Sequence, residues 1–367
     1  MRVGLVSPYS LTIPGGVQGQ VLALGRALRA QGVATRILGP CDGPPPDACV
    51  TPLGNSIPTA ANGSVAPLAP DPAAQLRTLR ALWDEDFDIL HLHEPMTPGP
   101  TQTTLLLRPA PIVATFHAAG ESASYRYLSG PLRWLAGRID RRCVVSQDAL
   151  ALAAGPLGGD YTVVHNAVEV DRYRLAEPWP TEGPTIFFVG RHEPRKGLAV
   201  LLDALTGLPP EVRLWVGSDG PETEQLQRRT AGDPRIEWLG RISEEEKLSR
   251  LRGADLFCAP SLRGESFGVV LLEAMAAETP IVASELPGYA KVARAGNDAI
   301  LVEPGDAAAL GTSIEKVLHD TEEANRLVAA GRERAHEFSM ARQAARYLEI
   351  YEETLRDQAG VAASAGS

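Results

Sequence analysis

Short β-branched runs that each feed an amphipathic helix constrain this chain more than any other feature. The first run, Val3–Val6, ends at Ser7-Pro8 and leads through Thr12-Ile-Pro14 to Gly15-Gly16. A helix opens there, with Val17, Val21, Leu24 and Leu28 on one face, and a second strand, Ala34–Leu38, follows Gly32. Strand, helix and strand in that order build a parallel pair, because the helix carries the chain back to the end from which it started. The alternation restarts at Thr185–Val189 and continues through helix Leu198–Leu205, strands Val212–Val216 and Ile236–Leu239, helix Glu244–Arg252 and strand Leu256–Ala259. Between the two series, Leu175–Pro184 holds three Pro, two Glu and a Gly, the composition of a linker.

A chain of 367 residues exceeds what one core usually spans, so two α/β domains are expected, each a doubly wound parallel sheet. The expected boundaries are residues 1–172 and 173–338, then a helix at 339–357 that packs back on the first domain, and a disordered tail at 358–367. Ala344, Tyr347, Leu348, Tyr351 and Leu355 give that last helix one apolar face. Residues 43–72 are rich in Pro, Gly, Ala and Asn and read as long connections around one strand, Val50–Leu53.

The net charge of −10 argues against binding nucleic acid through bulk charge. Four scattered cysteines without a CxxC pair read as reduced thiols of a cytoplasmic protein. The chain begins on a strand, so no signal peptide is expected, and no apolar run approaches the ~18 residues of a membrane span. Any contact with the inner face of the cell membrane is therefore expected to be peripheral. Arg77 and Arg80, on a helix over about Pro72–Trp83, are either a solvated face or a small basic patch for anionic lipid.

The richest stretch is Ser261–Pro280, a loop that turns into a helix. Ser266 can cap it, Val269–Ala277 is a strong helix former, and Pro280 ends it. Glu265 falls just outside the helix N-terminus and Glu273 on its body, where the Val269-Val-Leu-Leu272 run demands a partner for a carboxylate. A helix N-terminus suits an anion such as phosphate, whereas carboxylates accept hydrogen bonds from hydroxyl-rich sugars. A ligand with an anionic middle and hydroxylated ends, a nucleotide sugar, satisfies both. The loop Gly190-Arg-His-Glu-Pro-Arg-Lys-Gly197 points the same way, since cations at a helix N-terminus are unfavourable unless a diphosphate offsets them.

Other motifs are weaker. Gly15-Gly16 stands where a doubly wound fold binds phosphate, yet such pairs also make plain tight turns. Asp86-Phe87-Asp88 has the form of a DxD metal motif but leads directly into strand Ile89–His93, so it reads as a turn. His91 and His93 share one side of that strand without a third ligand at metal spacing, and His91 reads as a core histidine. His117 ends strand Pro111–Phe116, the strand end at which such folds place ligand residues.

Gly15-Gly16, His117, Gly190-Arg191-x4-Lys196-Gly197 and Glu265-x7-Glu273 together resemble glycosyltransferase family 4, over almost the whole chain. The stretches Ser7-Pro-Tyr-Ser10, Pro14-Gly-Gly-Val-Gln18, Asn62-Gly-Ser-Val-Ala66, His91-Leu-His-Glu-Pro95, Val113-Ala-Thr-Phe-His117, Glu193-Pro-Arg-Lys-Gly197 and Gly264-Glu-Ser-Phe-Gly268 are most similar to members that mannosylate inositol lipids. The resemblance implies the GT-B fold: two Rossmann-like domains whose parallel sheets face a central cleft. It also implies a retaining, metal-independent hexosyltransferase that moves mannose from GDP-mannose to a phosphatidylinositol-type lipid. No cofactor is implied beyond that nucleotide-sugar substrate.

By the same resemblance, Gly15 and Gly16 meet the diphosphate, and Arg191 and Lys196 neutralise it as it departs. Glu265 holds sugar hydroxyls beside Ser266, Phe267, Gly268, Val269 and Val270, while Glu273 holds the ribose and Ile242 touches the base. His117 contacts the transferred sugar, and Tyr9, Gln18 and Arg195 serve the acceptor. Ala118-Ala-Gly-Glu-Ser122 departs from the polar and basic residues that follow the histidine in those members, and Thr12 and Ala167 depart as well. A family 4 transferase using a UDP-sugar and another lipid or soluble acceptor therefore stays open, with a nucleotide-sugar epimerase behind it. A dinucleotide oxidoreductase is disfavoured, because no GxGxxG is present.

Overall fold

The computed structural model describes residues 1–367 except 62–63, 119–124, 126–127 and 366–367. The chain forms two compact units, Met1–Asn166 together with Met340–Ser367, and Ala167–Ser339. The division lies at Asn166 and at Ser339, where the composition had placed it after residues 172 and 338.

In the first unit, strands β1 (Arg2–Val6), β2 (Ala34–Gly39), β3 (Val50–Pro52), β6 (Ile89–His93), β7 (Ile112–Phe116), β8 (Arg141–Val144) and β9 (Thr162–Val163) form a parallel sheet in the order β3-β2-β1-β6-β7-β8-β9. Every residue of β6 and β7 is buried, as helices on both faces of a parallel sheet require. Residues 43–72 contain more order than their composition predicts. Strands β4 (Ile57–Ala61) and β5 (Ser64–Leu68) pair antiparallel, a hairpin hidden because Pro58 and Pro67 stand opposite each other in it. Asn62 and Gly63, and Ala119–Ser122 of the departing segment, lie outside the described residues.

The second unit repeats the plan with β10 (Thr185–Val189), β11 (Arg213–Gly217), β12 (Ile236–Gly240), β13 (Leu256–Ala259), β14 (Ile281–Ser284) and β15 (Ile300–Val302), ordered β12-β11-β10-β13-β14-β15. Leu175–Pro184 is not a free linker but belongs to this unit. Trp179 donates its backbone N–H to Ser249 O at 2.9 Å, and the Arg250 guanidinium lies over its ring at 4.3 Å. Val168 N donates to Phe338 O at 2.9 Å and ties the two ends of the unit together.

The last helix, Met340–Ala365, runs beyond Arg356 into the stretch expected to be a disordered tail. The alanine-rich composition of that stretch favours helix. Tyr347 and Tyr351 are 1% and 0% exposed, and the helix packs on Gly16–Ala30 within the first unit. Among the described residues, no helix is long and apolar enough to cross a membrane.

Both sheets wind outward from their first strand in two directions. The reversal leaves a crevice at the carboxyl ends of β1 and β6 in one unit and of β10 and β13 in the other. One glycine holds the second crevice together. Gly197 has φ +68°, and a Cβ there would lie 1.9 Å from Pro260 O. Gly197→Ala is therefore expected to cost about 1–3 kcal/mol. Calorimetry should show a melting transition lowered by roughly 2–4 °C for each kcal/mol lost.

Candidate active site

At the second crevice, the loop after β10 supplies Arg191, Glu193, Arg195 and Lys196, and the loop after β13 supplies Ser261 to Gly268. Lys196 Nζ donates to Glu265 Oε1 at 2.6 Å, and Ser261 Oγ donates to the same oxygen at 3.0 Å. Ser261 Oγ is in turn 3.0 Å from the Tyr289 hydroxyl, which burial and nearby Glu265 keep protonated. Arg195 reaches Glu265 Oε1 at 3.8 Å. Glu193 divides its carboxylate, with Oε1 3.2 Å from Arg191 Nε and Oε2 2.8 Å from Arg195 Nε. Three cations thus stand at one strand end, each braced by a carboxylate. Arg191 remains 53% exposed at its side chain and can turn a free edge to an anion.

The helix Val269–Ala276 starts differently from its expected form. Ser266 does not cap it; the N-cap is Gly268 at φ 88°, with no side-chain cap hydrogen bond. Glycine is favoured there twice over, by the left-handed φ and because Tyr289 Cδ1 would lie 2.9 Å from a Cβ at Gly268. Ser266 instead lends its carbonyl to Lys291 Nζ at 2.9 Å. No side chain consequently competes for the first-turn amides, and an anion can use them. Phe267 is buried, and Val269, Val270 and Ile242 pack partly buried on the same core cluster.

Glu273 finds the partner its apolar setting demands in Lys247, whose Nζ donates at 3.0 Å and also bridges to Glu244. Burial pulls the Lys247 pKa down, but Glu273 and Glu244 outweigh it and leave the pKa above the usual lysine value. Tyr173 lies beneath, 5.9 Å from Nζ to ring centroid, and burial with those two carboxylates holds its hydroxyl protonated. Lys247 has no signal in its own neighbourhood, since its partner lies 26 residues further along the chain.

In the first unit, Gly15 is the extended N-cap of helix Gly16–Ala30, with no side-chain cap and no acidic residue in the first turn. A Cβ on Gly15 would meet the Gln18 side chain at 2.4 Å, while Gly16 faces open space. Gln18 is thus buried beneath the turn. Tyr9 and Glu94 follow β1 and β6, the two strands of this crevice. Burial first, then Glu94, pushes the Tyr9 pKa up, against a hydrogen bond with Thr97.

His117 Nε2 lies 3.0 Å from His93 Nδ1, and the two rings stack with centroids 5.2 Å apart. Burial pulls the His117 pKa down to about 4, partly offset by a hydrogen bond with Asn166. His91 is a satisfied core residue: Nδ1 is 2.7 Å from Tyr351 Oη and Nε2 is 2.7 Å from Thr115 Oγ1. Among the described residues no group of three or more His, Cys, Asp or Glu could hold a metal ion. Glu94, His93 and Asn166 become visible as neighbours of His117 only in three dimensions.

The helix Pro72–Asp84 carries Arg77 and Arg80 on its exposed side. Arg80 is tied to Asp84 at 3.1 Å, and Arg77 Nη1 lies against Gly54. Leu76 and Trp83 are 66% and 70% exposed beside them.

Two doubly wound units, one with braced cations at its switch point, define a GT-B glycosyltransferase. Residues 14–172 match the family model described as Glycosyltransferase Family 4, and residues 169–334 that of Glycosyl transferases group 1. The chain is 40% identical over 365 residues to phosphatidyl-myo-inositol mannosyltransferase of Mycobacterium leprae, with 96% of each chain covered. It is 39% identical to the protein of the same name from Mycobacterium tuberculosis, covering 96% of this chain and 97% of that one. Sucrose-phosphate synthase from Thermosynechococcus elongatus superposes with a TM-score of 0.72 at 21% identity, covering 97% of this chain and 99% of that chain. Anabaena HepE in complex with UDP and glucose gives 0.69 at 18% identity, covering 96% and 100%. The chain belongs to glycosyltransferase family 4.

The histidine cluster yields a direct check. With its pKa depressed to about 4, His117 is neutral in the fold at pH 7. Its contribution to stability is full above the ordinary histidine value of about 6.5 and is lost as pH falls toward about 4. Imidazole NMR shifts should show His117 unprotonated down to about pH 5, with acid unfolding setting in below that.

Proposed function

We propose that this glycosyltransferase moves mannose from GDP-mannose to a phosphatidylinositol-type lipid, with retention at the sugar C1 and without a metal ion. The observation that carries this reading is the 40% identity, over 96% of both chains, with a phosphatidyl-myo-inositol mannosyltransferase. The second unit supplies the donor chemistry. Lys247 presents Glu273 as a hydrogen-bond acceptor for the ribose, and Ile242 offers an apolar edge to the base. Arg191, Lys196 and the amides after Gly268 receive the diphosphate. Glu265, oriented by Lys196 and Ser261, accepts hydrogen bonds from the mannose hydroxyls.

In the reaction the bond from C1 to the donor phosphate oxygen breaks, and a bond from C1 to the acceptor oxygen forms on the same face. The acceptor proton goes to a phosphate oxygen of the departing GDP. Arg191 and Lys196 stabilise the charge that develops there, which is the task a metal would otherwise perform. Tyr9, Gln18 and Arg195 orient the inositol phosphate, His117 contacts the sugar, and Gly15-Gly16 approach the diphosphate. Leu76, Trp83, Arg77 and Arg80 give the first unit an interfacial helix for a lipid surface.

A UDP-sugar donor is the second reading. Ala118 after His117 favours it, because no basic residue stands there for an acidic acceptor. Calorimetric titration with GDP, GDP-mannose, UDP and UDP-glucose in EDTA separates the two, with GDP and GDP-mannose expected to bind more tightly. Radiolabelled transfer to phosphatidylinositol vesicles should then proceed in EDTA and give the α-mannoside. Arg191→Ala and Lys196→Ala should each lower kcat/KM by about 10²–10³. Tighter uridine binding would overturn the donor assignment.

A further inference from the structure

Glu94 is the first residue beyond β6 and has left-handed backbone, φ 51°, which side-chain-bearing residues rarely adopt. Such a conformation persists only where its surroundings over-determine it. Here Glu94 N donates to Thr115 O at 2.9 Å, and Thr97 N donates to Glu94 O at 3.0 Å. The side chain is turned across the sheet, 4% exposed. Its Oε1 accepts from His117 N at 2.6 Å and from Ala118 N at 2.5 Å. Among the described residues no cation pairs with this carboxylate. Two consecutive backbone amides are its partners, and they belong to the segment that carries His117.

We propose that Glu94 is a positioning residue for His117: its buried carboxylate clamps the two amides that fix where the His117 imidazole stands at the crevice of the first unit. The neighbouring His93 holds the ring itself, Nδ1 to Nε2 at 3.0 Å. Two adjacent residues at one strand end thus fix both the backbone and the side chain of His117. A carboxylate suits the task because one oxygen can accept two N–H groups, and its charge strengthens both bonds in a low-dielectric setting. Fold stability alone does not select it. Burial raises the Glu94 pKa to about 7, against the two amide bonds, so ionised Glu94 is penalised in the fold at neutral pH.

Among the described residues, the titratable groups near Glu94 are Tyr9 from the loop after β1, Tyr125, His93 and His117. Burial pushes both phenols up and both imidazoles down. Among these described groups, Glu94 is therefore the one whose charge changes near pH 7.

The role of Glu94 rests on the reading of His117 as a sugar contact, and the test keeps the two apart. Glu94→Ala should lower kcat for transfer by about 100-fold while GDP affinity stays within about two-fold, because Glu94 bonds none of the groups assigned to the nucleotide. Glu94→Gln keeps an oxygen that accepts both amides. It should retain kcat within about ten-fold and lack the acid limb near pH 7 that the unsubstituted enzyme is expected to show. Hydrogen exchange at His117 and Ala118 should quicken by at least about ten-fold in Glu94→Ala, whatever the substrate. Unchanged exchange in Glu94→Ala overturns the clamp. So does unchanged kcat, or a GDP affinity that falls as far as kcat. If Glu94→Ala does not fold, a Glu94→Gln pH profile that matches the unsubstituted enzyme overturns it. If the unsubstituted enzyme transfers nothing from GDP-mannose, the mannosyltransferase reading fails, and the exchange rates still decide the clamp.

Discussion

The outward winding of each sheet from its first strand is the constraint on which the rest depends. A right-handed crossover can place successive strands on one side only until the chain returns to the other side of its first strand. That return leaves two adjacent strand ends whose loops depart in opposite directions, and backbone and side chains can line the gap. The gap lies between β10 and β13 in the second unit and between β1 and β6 in the first. Lys196 and Glu265 come from the two sides of one gap, Tyr9 and Glu94 from the two sides of the other. Residues 69 apart in sequence become hydrogen-bonded partners for this topological reason.

The two crevices use opposite electrostatics. In the second unit the cations are held in advance by the chain's own carboxylates, Glu193 and Glu265. Partly exposed pairs of this kind stabilise the fold little, because solvent screens them and ordering long side chains costs entropy. Their larger effect is to fix where the cations stand, so a diphosphate meets charge already in place and displaces little structure. In the first unit charge is nearly absent. His91, His93 and His117 are all driven neutral by burial, and the phenols of Tyr9 and Tyr125 are held protonated.

Much of the second crevice was legible in the sequence because its signals are local. Arg191, Lys196, Glu265 and Glu273 stand at fixed short spacings inside loops and one helix, and the demand for a partner at Glu273 follows from its apolar neighbours. The identity of that partner, Lys247, was not legible, because it comes from a separate helix that precedes β13 in the chain. Ser266 misled as a cap: cap preference weighs a local hydroxyl, while the helix starts at a left-handed Gly268 packed against Tyr289, 21 residues further along the chain. The hairpin of β4 and β5 was hidden by Pro58 and Pro67, and Leu175–Pro184 misled because a proline-rich strap has the composition of a linker. The winding itself was legible in outline from the alternation of strands and helices, whereas strand order is fixed by packing rather than by any residue type.

The histidines of the first unit show how one fold suppresses a metal-like pattern and turns it to another use. His91 and His93 face the same side of β6 with ring centroids 4.3 Å apart. Both His91 nitrogens are occupied, by Tyr351 and by Thr115, and Thr115 is itself 2.9 Å from the Tyr347 hydroxyl. Those tyrosines come from the C-terminal helix, so that helix fixes the orientation of His91 at the centre of the sheet. His91 in turn packs tilted against His93, which lies stacked against His117. In a seam this buried and neutral, the bonds that a carboxylate makes are screened less than at the surface, and each becomes stronger there. Glu94 lies at the edge of that seam, where two amide hydrogen bonds can hold a histidine at the crevice without giving the site a cation.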